Sequence, residues 1–485
     1  MSNGRPSPDR SWEGRVAIHA GTEGFAYVPG EVLVLDRFDE ALERARELFP
    51  SDEQIRIERL ELQRRLLARL VAVPDVPAVV RHLRSFAIRA QPNHVFLAHC
   101  GSGCCCGPHP AVRGACGGPG ADPVHGSPVY ASPVYASPVY ASPVYASPVY
   151  ASPVYASPVY ASPVYASPVY ASPVYASTYV TTGFRRSSAR PVTADEAAAV
   201  QARLDHIDGT KEAVLPDVVV LDTGLATDPA LAPQALVDLG QLVLAQDGVL
   251  PVADVPDVNP ADLLLDPAAG HGTFIAGLVE QVAPGATVEL WRVLHPQGDG
   301  TEVDIAILID GLPDRRGDGG AVLNLSFGGY VMDQAEVLAT AIRLAQAKGY
   351  VVVASAGNDG VCRPTYPAAL PDVVSVGAIG PGGPAPFSNY GPWVRACAPG
   401  VDLVSTFFRD FDGQETSTGP HDPDPDHFQS WARWSGTSFA APIVAGALAQ
   451  HARTFGVPVA DAVTRVIDDP ALLRIADLGT VVNLV

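Results

Sequence analysis

Apolar and polar positions follow two rhythms in this chain, with a long stretch between them that has neither. Between Gly30 and His99 the pattern predicts a strand over 31–35, an amphipathic helix over 39–48 and two strands over 55–62 and 66–73. A second helix over 76–88 and a strand over 93–98 complete the order β-α-β-β-α-β, the split βαβ arrangement of a small ferredoxin-like α+β domain. From about 191 the rhythm changes. Thr193 and Glu196 are spaced as a capping box for a helix reaching about 207. Beyond it, mostly apolar runs over 218–221, 322–326, 350–354 and 373–376 alternate with helical segments such as 334–347. That alternation predicts α/β architecture: a mostly parallel sheet with helices on both faces and function at the carboxyl ends of its strands.

The stretch between the two units repeats Ser-Pro-Val-Tyr-Ala about ten times from Ser127 onward. Proline at every fifth position denies it helix interiors and sheet ladders, leaving a solvated polyproline-like spacer that reaches roughly 150 Å at about 3.1 Å per residue. A period of five turns each tyrosine by about 240° from the last, so no single stripe forms. An inert tether is the plain reading; tyrosine modification, self-association or cleavage of the repeat are the alternatives. The expected organisation is a disordered N-terminus (1–29), the α+β domain (30–99), a low-complexity linker (100–190) and the large α/β unit (191–485).

Composition narrows the picture. The 485 residues carry 32 basic and 52 acidic side chains, a formal charge of −20, which argues against nucleic acid and against anionic lipid as partners. Residues 1–15 are polar, with no apolar core of signal-peptide length, and no later run approaches a membrane span. The expectation is cytoplasmic synthesis, with export by another route left open. Five of the seven cysteines crowd between Cys100 and Cys116, in a spacing that fits none of the paired zinc patterns although His99 and His109 lie close. A reduced tether and a metal or redox segment are both open there. Cys362 and Cys397 are expected as small buried hydrophobes.

Three motifs carry chemistry. Val218-Val219-Val220-Leu221 delivers Asp222-Thr223-Gly224 at the end of a buried strand. Gly270-His271-Gly272-Thr273 places a histidine where a Gly-rich turn opens a helix. Ser435-Gly436-Thr437-Ser438 enters a second helix, running to about Arg453, in which Pro442 is expected in the first turn, where its missing N–H has no partner to lose. Each alone is a common packing device. Together, Asp, His and Ser in this order resemble the subtilase (subtilisin-like) serine peptidases over about 217–446.

The resemblance implies a triad of Asp222, His271 and Ser438, in which His271 takes and returns the serine proton and Asp222 holds its other nitrogen. It points to Asn358, in Ser355-Ala356-Gly357-Asn358-Asp359-Gly360, as an oxyanion donor beside the Ser438 backbone N–H. Ser326-Phe327-Gly328 resembles the strand that pairs with an extended substrate, and Ala354-Ser355-Ala356-Gly357 would line the other side of the primary specificity pocket. Neither stretch holds an acidic residue, which favours an apolar or medium-sized substrate side chain. Segments Tyr366-Pro367-Ala368, Phe387-Ser388-Asn389-Tyr390-Gly391 and Ala398-Pro399-Gly400 are also similar to the family. The front domain, with Pro92-Asn93 on its last strand, resembles the family's inhibitory propeptide and would act as an intramolecular inhibitor removed by self-cleavage; an unrelated α+β binding domain is the alternative.

No cofactor is assigned. Asp254, Asp257, Asp262 and Asp266, and the acidic insertion over 410–426, invite calcium, but scattered loop aspartates without a compact ligand ladder are expected as solvated surface. The rival to an endopeptidase is a catalytically idle fold used as a peptide-binding or scaffold module.

Overall fold

The N-terminal unit is built from β1 (Ala17–His19), β2 (Phe25–Val34), the helix Phe38–Leu48, β3 (Arg56–Leu62), β4 (Arg65–Val71), the helix Val76–Ser85 and β5 (Ala90–Ala98). It is seen in a computed structural model that describes residues 16–19, 24–49, 54–62, 65–98, 187–210, 215–240, 242–248, 250–256, 265–332, 335–412 and 427–482. The cysteine cluster, the repeat, Asp257, Asp262 and most of the 410–426 insertion lie outside the described residues. The strands pair antiparallel in the order β5-β2-β4-β3. Asp75 caps the second helix by accepting from Ala78 N–H at 2.9 Å, with Pro77 in the first turn. Ala41, Ala45, Val76, Val80 and Leu83 pack on Val32, Val34 and Leu70 of the sheet.

Ordered chain begins earlier than the hydrophobic pattern indicates. β1 and the first residues of β2 precede Gly30, which was expected to open the domain. Phe25 is 2% exposed, its ring edge-on to His94 on β5. The pairing register shifts between Tyr27 and Val32, and Gly30 sits inside that irregularity at φ 78°, so a glycine that reads as a boundary is a bulge within one strand.

The second unit adds β6 (Val218–Asp222), β7 (Val243–Gln246), β8 (Val288–Arg292), β9 (Asp299–Thr301), β10 (Ala321–Leu325), β11 (Phe327–Gly328), β12 (Tyr350–Ser355) and β13 (Val374–Gly380). Its main sheet runs β7-β8-β6-β10-β12-β13 and continues through Ala396–Pro399 and Gly479–Val481, each neighbour parallel to the next. β6 illustrates why an unbroken apolar run was needed. Val218 and Val220 face the helices His271–Val282 and Thr437–Phe455, while Val219 and Leu221 face Glu302–Gly311 and Glu336–Ala347. Burying each such side chain contributes about 1.5–3 kcal/mol before chain entropy is charged.

The two units share a sheet edge. β5 pairs antiparallel with β11 on one side and with β9 on the other. Below that strand, Gln91, Asn93 and His94 reach the N-termini of two helices of the second unit. Gln91 Oε1 accepts from Glu336 N–H at 2.9 Å and Asn93 Oδ1 from Val303 N–H at 3.3 Å. Glu302, fully buried, takes hydrogen bonds from Gln91 Nε2 at 2.8 Å, His94 Nδ1 at 2.6 Å and Leu338 N–H at 3.0 Å.

Candidate active site

Asp222 is the last residue of β6, His271 the first of its helix, and Ser438 the second of its own. All three are fully buried. His271 Nδ1–H donates to Asp222 Oδ1 at 2.7 Å, and the same oxygen accepts from Thr223 N–H at 2.8 Å. A carboxylate is acceptor-only, which puts the proton on Nδ1 and leaves Nε2 as the acceptor. Nε2 makes no hydrogen bond among the described residues. The Ser438 hydroxyl instead donates to the Ser326 carbonyl at 2.7 Å. The structure thus joins Asp222 to His271 and Ser438 to Ser326. Phe439, next to the serine, has its ring centroid 5.1 Å from that of His271, and Trp434 meets the imidazole edge-on at 5.6 Å.

Pro442 departs from expectation. The helix begins at Thr437, so the proline falls in the second turn, where its N–H would have bonded Ser438 C=O. Ser326 Oγ supplies the missing donor to that carbonyl at 2.7 Å, and is itself hydrogen-bonded by Asn324 Nδ2 at 2.9 Å. Ser326 and Ser438 therefore hold each other reciprocally.

Asn358 stands on the turn that follows β12. Its Oδ1 accepts from Thr437 N–H at 3.0 Å and Thr437 Oγ1 at 2.9 Å, which fixes the amide plane, while Nδ2 is buried with no hydrogen-bond partner among the described residues. An unpaired buried donor costs about 1–3 kcal/mol, a cost that suits a group reserved for another acceptor. Ala354 and Ser355 end β12, and Ala356 C=O is held by Thr365 Oγ1 at 2.7 Å and Asn389 Nδ2 at 3.0 Å. Gly357 has φ 104°, and a Cβ there would lie 2.4 Å from Asn389 Nδ2, so any other residue strains the backbone and forces Asn389 to move.

Phe327 and Gly328 form β11 and pair with Ala98 and Leu97. Opposite them, Val95, Phe96 and Leu97 register with Thr301, Gly300 and Asp299 of β9, and Ala98 N–H reaches Gly298 C=O at 2.9 Å. The end of the N-terminal unit is thus the middle strand of three. β9 escaped sequence reading: Thr301 and Asp304 mark the helix start that follows, but nothing marks the three residues before it as a strand.

Two further expectations are corrected. Asp254 and Asp266 are buried, not solvated, and Asp254 Oδ2 accepts from Thr223 Oγ1 and Gly270 N–H. Cys397 is buried, with its thiol pushed up to about 12 by desolvation, but Cys362 is only half-buried on the loop after Gly360. Among the described residues no group of three or more His, Cys, Asp or Glu side chains is placed to hold a metal ion, and no helix is long and apolar enough to cross a membrane.

A model of the subtilase family matches residues 216–456. A thermophilic serine proteinase of Bacillus sp. (strain AK1) is 35% identical over 251 residues, 49% of this chain and 52% of that protein. Thermitase of Thermoactinomyces vulgaris is 35% identical over 188 residues, 36% of this chain and 59% of thermitase. The chain therefore spans little more than half the length of either. Subtilisin Savinase of Lederbergia lenta is 31% identical over 242 residues, 48% of this chain and 74% of that protein. Similarity at that level across most of a relative, with the Asp222, His271 and Ser438 motifs inside the matched span, means that the chain belongs to the subtilase family.

Proposed function

We propose that this chain is a serine endopeptidase acting through Asp222, His271 and Ser438. The observation that carries the reading is the seating of Val95–Leu97 against β9 and of Leu97–Ala98 against β11: an extended peptide held by main-chain pairing on both sides, one residue along the chain from the Ser326 carbonyl that holds Ser438. The mechanism requires the Ser438 hydroxyl to turn from the Ser326 carbonyl to His271 Nε2, a change of rotamer. His271 then removes the proton as Oγ attacks the peptide carbonyl, Asp222 stabilises the imidazolium, and the proton passes to the leaving amine. Water, activated by the same imidazole, releases the acyl group. Asn358 Nδ2 and the Ser438 backbone N–H, free at a helix N-terminus, receive the oxyanion. Phe439 and Trp434 keep the imidazole dry. Ser326, Phe327 and Gly328 on one side and Ala354, Ser355, Ala356 and Gly357 on the other line the pocket for the residue before the cut bond, which takes an apolar or medium-sized side chain.

The N-terminal unit acts as an intramolecular inhibitor, and self-cleavage falls just beyond Ala98. The test compares wild type with Ser438→Ala by intact mass and by labelling with a fluorophosphonate. Labelling of wild type alone, with a cut beyond Ala98, is the expected result. Silence of wild type, even after removal of residues 1–98, overturns the peptidase reading.

A further inference from the structure

Asp254 is a buried acid, 2% exposed, that the proposed mechanism leaves without a task. Its backbone N–H is anchored on Leu225 C=O at 2.9 Å, and the carbonyls of Pro251 and Ala253 before it are held by the Arg292 guanidinium. One carboxylate oxygen, Oδ2, accepts from Thr223 Oγ1 at 2.9 Å and from Gly270 N–H at 2.9 Å. Thr223 Oγ1 accepts in turn from Gly272 N–H at 3.0 Å. The amides on either side of His271 are therefore gripped by Asp254 and Thr223, and Thr223 is the residue next to Asp222.

The geometry points to Asp254 as a positioning residue: its Oδ2 ties the backbone flanking His271 to the residue that follows Asp222, and so keeps the Asp222–His271 hydrogen bond in register. The inference rests on the peptidase reading. It has mechanistic content because Asp222 and His271 come from different elements, a strand end and a helix start, and the one motif side chain that bridges them, Thr223, grips only the amide after His271, while Asp254 holds both Thr223 and the amide before it. An ångström of slip between catalytic groups costs up to about 100-fold in rate. What matters in this role is the acceptor oxygen. Burial pushes the Asp254 carboxyl up to about 7, opposed by Arg292, Thr223 and Gly270 and assisted by Asp222, and Oδ1 has no hydrogen-bond partner among the described residues. A proton on Oδ1 leaves both bonds to Oδ2 intact.

The test uses the full chain, carried through any self-cleavage, with active sites counted by fluorophosphonate and turnover measured on a peptide nitroanilide. Asp254→Ala is expected to lower kcat roughly 10- to 100-fold with KM within about twofold. Asp254→Asn, which keeps an acceptor oxygen, is expected to stay within about threefold of wild type, and Thr223→Val to reproduce the alanine loss. The double variant Asp254→Ala/Thr223→Val should be no slower than either single, because both break one bracket. If Asp254→Ala fails to fold, Thr223→Val and Asp254→Asn decide. A kcat of wild-type size in either bracket-breaking variant overturns the inference, as does an asparagine variant as slow as the alanine one. An inactive wild type, by contrast, overturns the peptidase reading and this inference with it.

Discussion

Thr437 and Asn358 show how single residues are committed before any substrate arrives. Thr437 spends both its N–H and its hydroxyl on Asn358 Oδ1, and the hydroxyl also receives Gly357 N–H at 3.1 Å. The amide is thereby locked, with Nδ2 left unpaired among the described residues. Asn358→Ala is expected to lower kcat by about 10²–10³ with little change in KM, since the bond forms fully only on the oxyanion; steady-state kinetics on counted active sites check it. Gly357→Ala tests the turn itself. A methyl group at φ 104° against Asn389 should cost about 1–3 kcal/mol, read as a lower urea midpoint at unchanged slope. Both residues were legible as a Gly-Asn turn after a strand. The partner that orients them was not, because Thr437 lies 79 positions away from Asn358.

At the scale of elements, the docking of β5 depends on helix ends. The first N–H groups of a helix lack partners within it, and Gln91 and Asn93 satisfy two of them from outside. His94 is the keystone between the units: Nδ1 donates to Glu302 and Nε2 accepts from Met332 N–H at 3.1 Å, all within a fully buried contact. His94→Ala leaves the Met332 donor unpaired and opens a cavity beside Phe25. In an Ser438→Ala background, chosen to block the proposed self-cleavage, it should weaken docking by about 2–4 kcal/mol. Hydrogen exchange reads the result: amides of β5, β9 and β11 lose protection while β10 and β12 keep theirs. Equal loss across the main sheet would mean global destabilisation instead. The sequence marked β5 as a strand and Pro92-Asn93 as a resemblance, yet the use of its side chains as caps depends on helices more than 200 positions further on.

For the whole molecule, buried acids set the response to pH. Glu280 is fully buried near the end of the His271–Val282 helix; its Oε2 accepts from Gly285 N–H at 3.1 Å and Oε1 has no hydrogen-bond partner among the described residues. Burial pushes its carboxyl up to about 8, with the Gly285 bond and Arg453 opposing and Asp217 assisting. The folded chain thus holds this proton more tightly than the unfolded chain. The stability so contributed is complete below the ordinary carboxylate range and is lost as pH rises through about 8, and Asp254 acts in the same direction through about 7. Unfolding free energy from urea titrations should fall by on the order of a few kcal/mol between pH 5 and 9. Glu280→Gln should flatten that slope; an unchanged slope refutes the assignment.

What the sequence alone determined about this protein is what local physics writes into neighbouring residues. The unbroken apolar run of β6 required burial on both faces, and Thr193 with Glu196 closed a capping box that the structure contains. Asp222, His271 and Ser438 each stood in a turn whose glycines and threonines announce a strand end or a helix start. Tertiary structure decided the rest. It buried Asp254, which any loop reading would leave in water, because its partners Thr223 and Gly270 are brought to it by two different elements. It moved Pro442 into the second turn, because Ser326, 112 positions away from Ser438, supplies the donor that proline lacks. It put Val95–Ala98 between β9 and β11, because strand pairing is specified by main-chain groups that every residue carries. Propensity, capping and periodicity act within a strand or a turn; burial and pairing depend on which distant segments the core draws together.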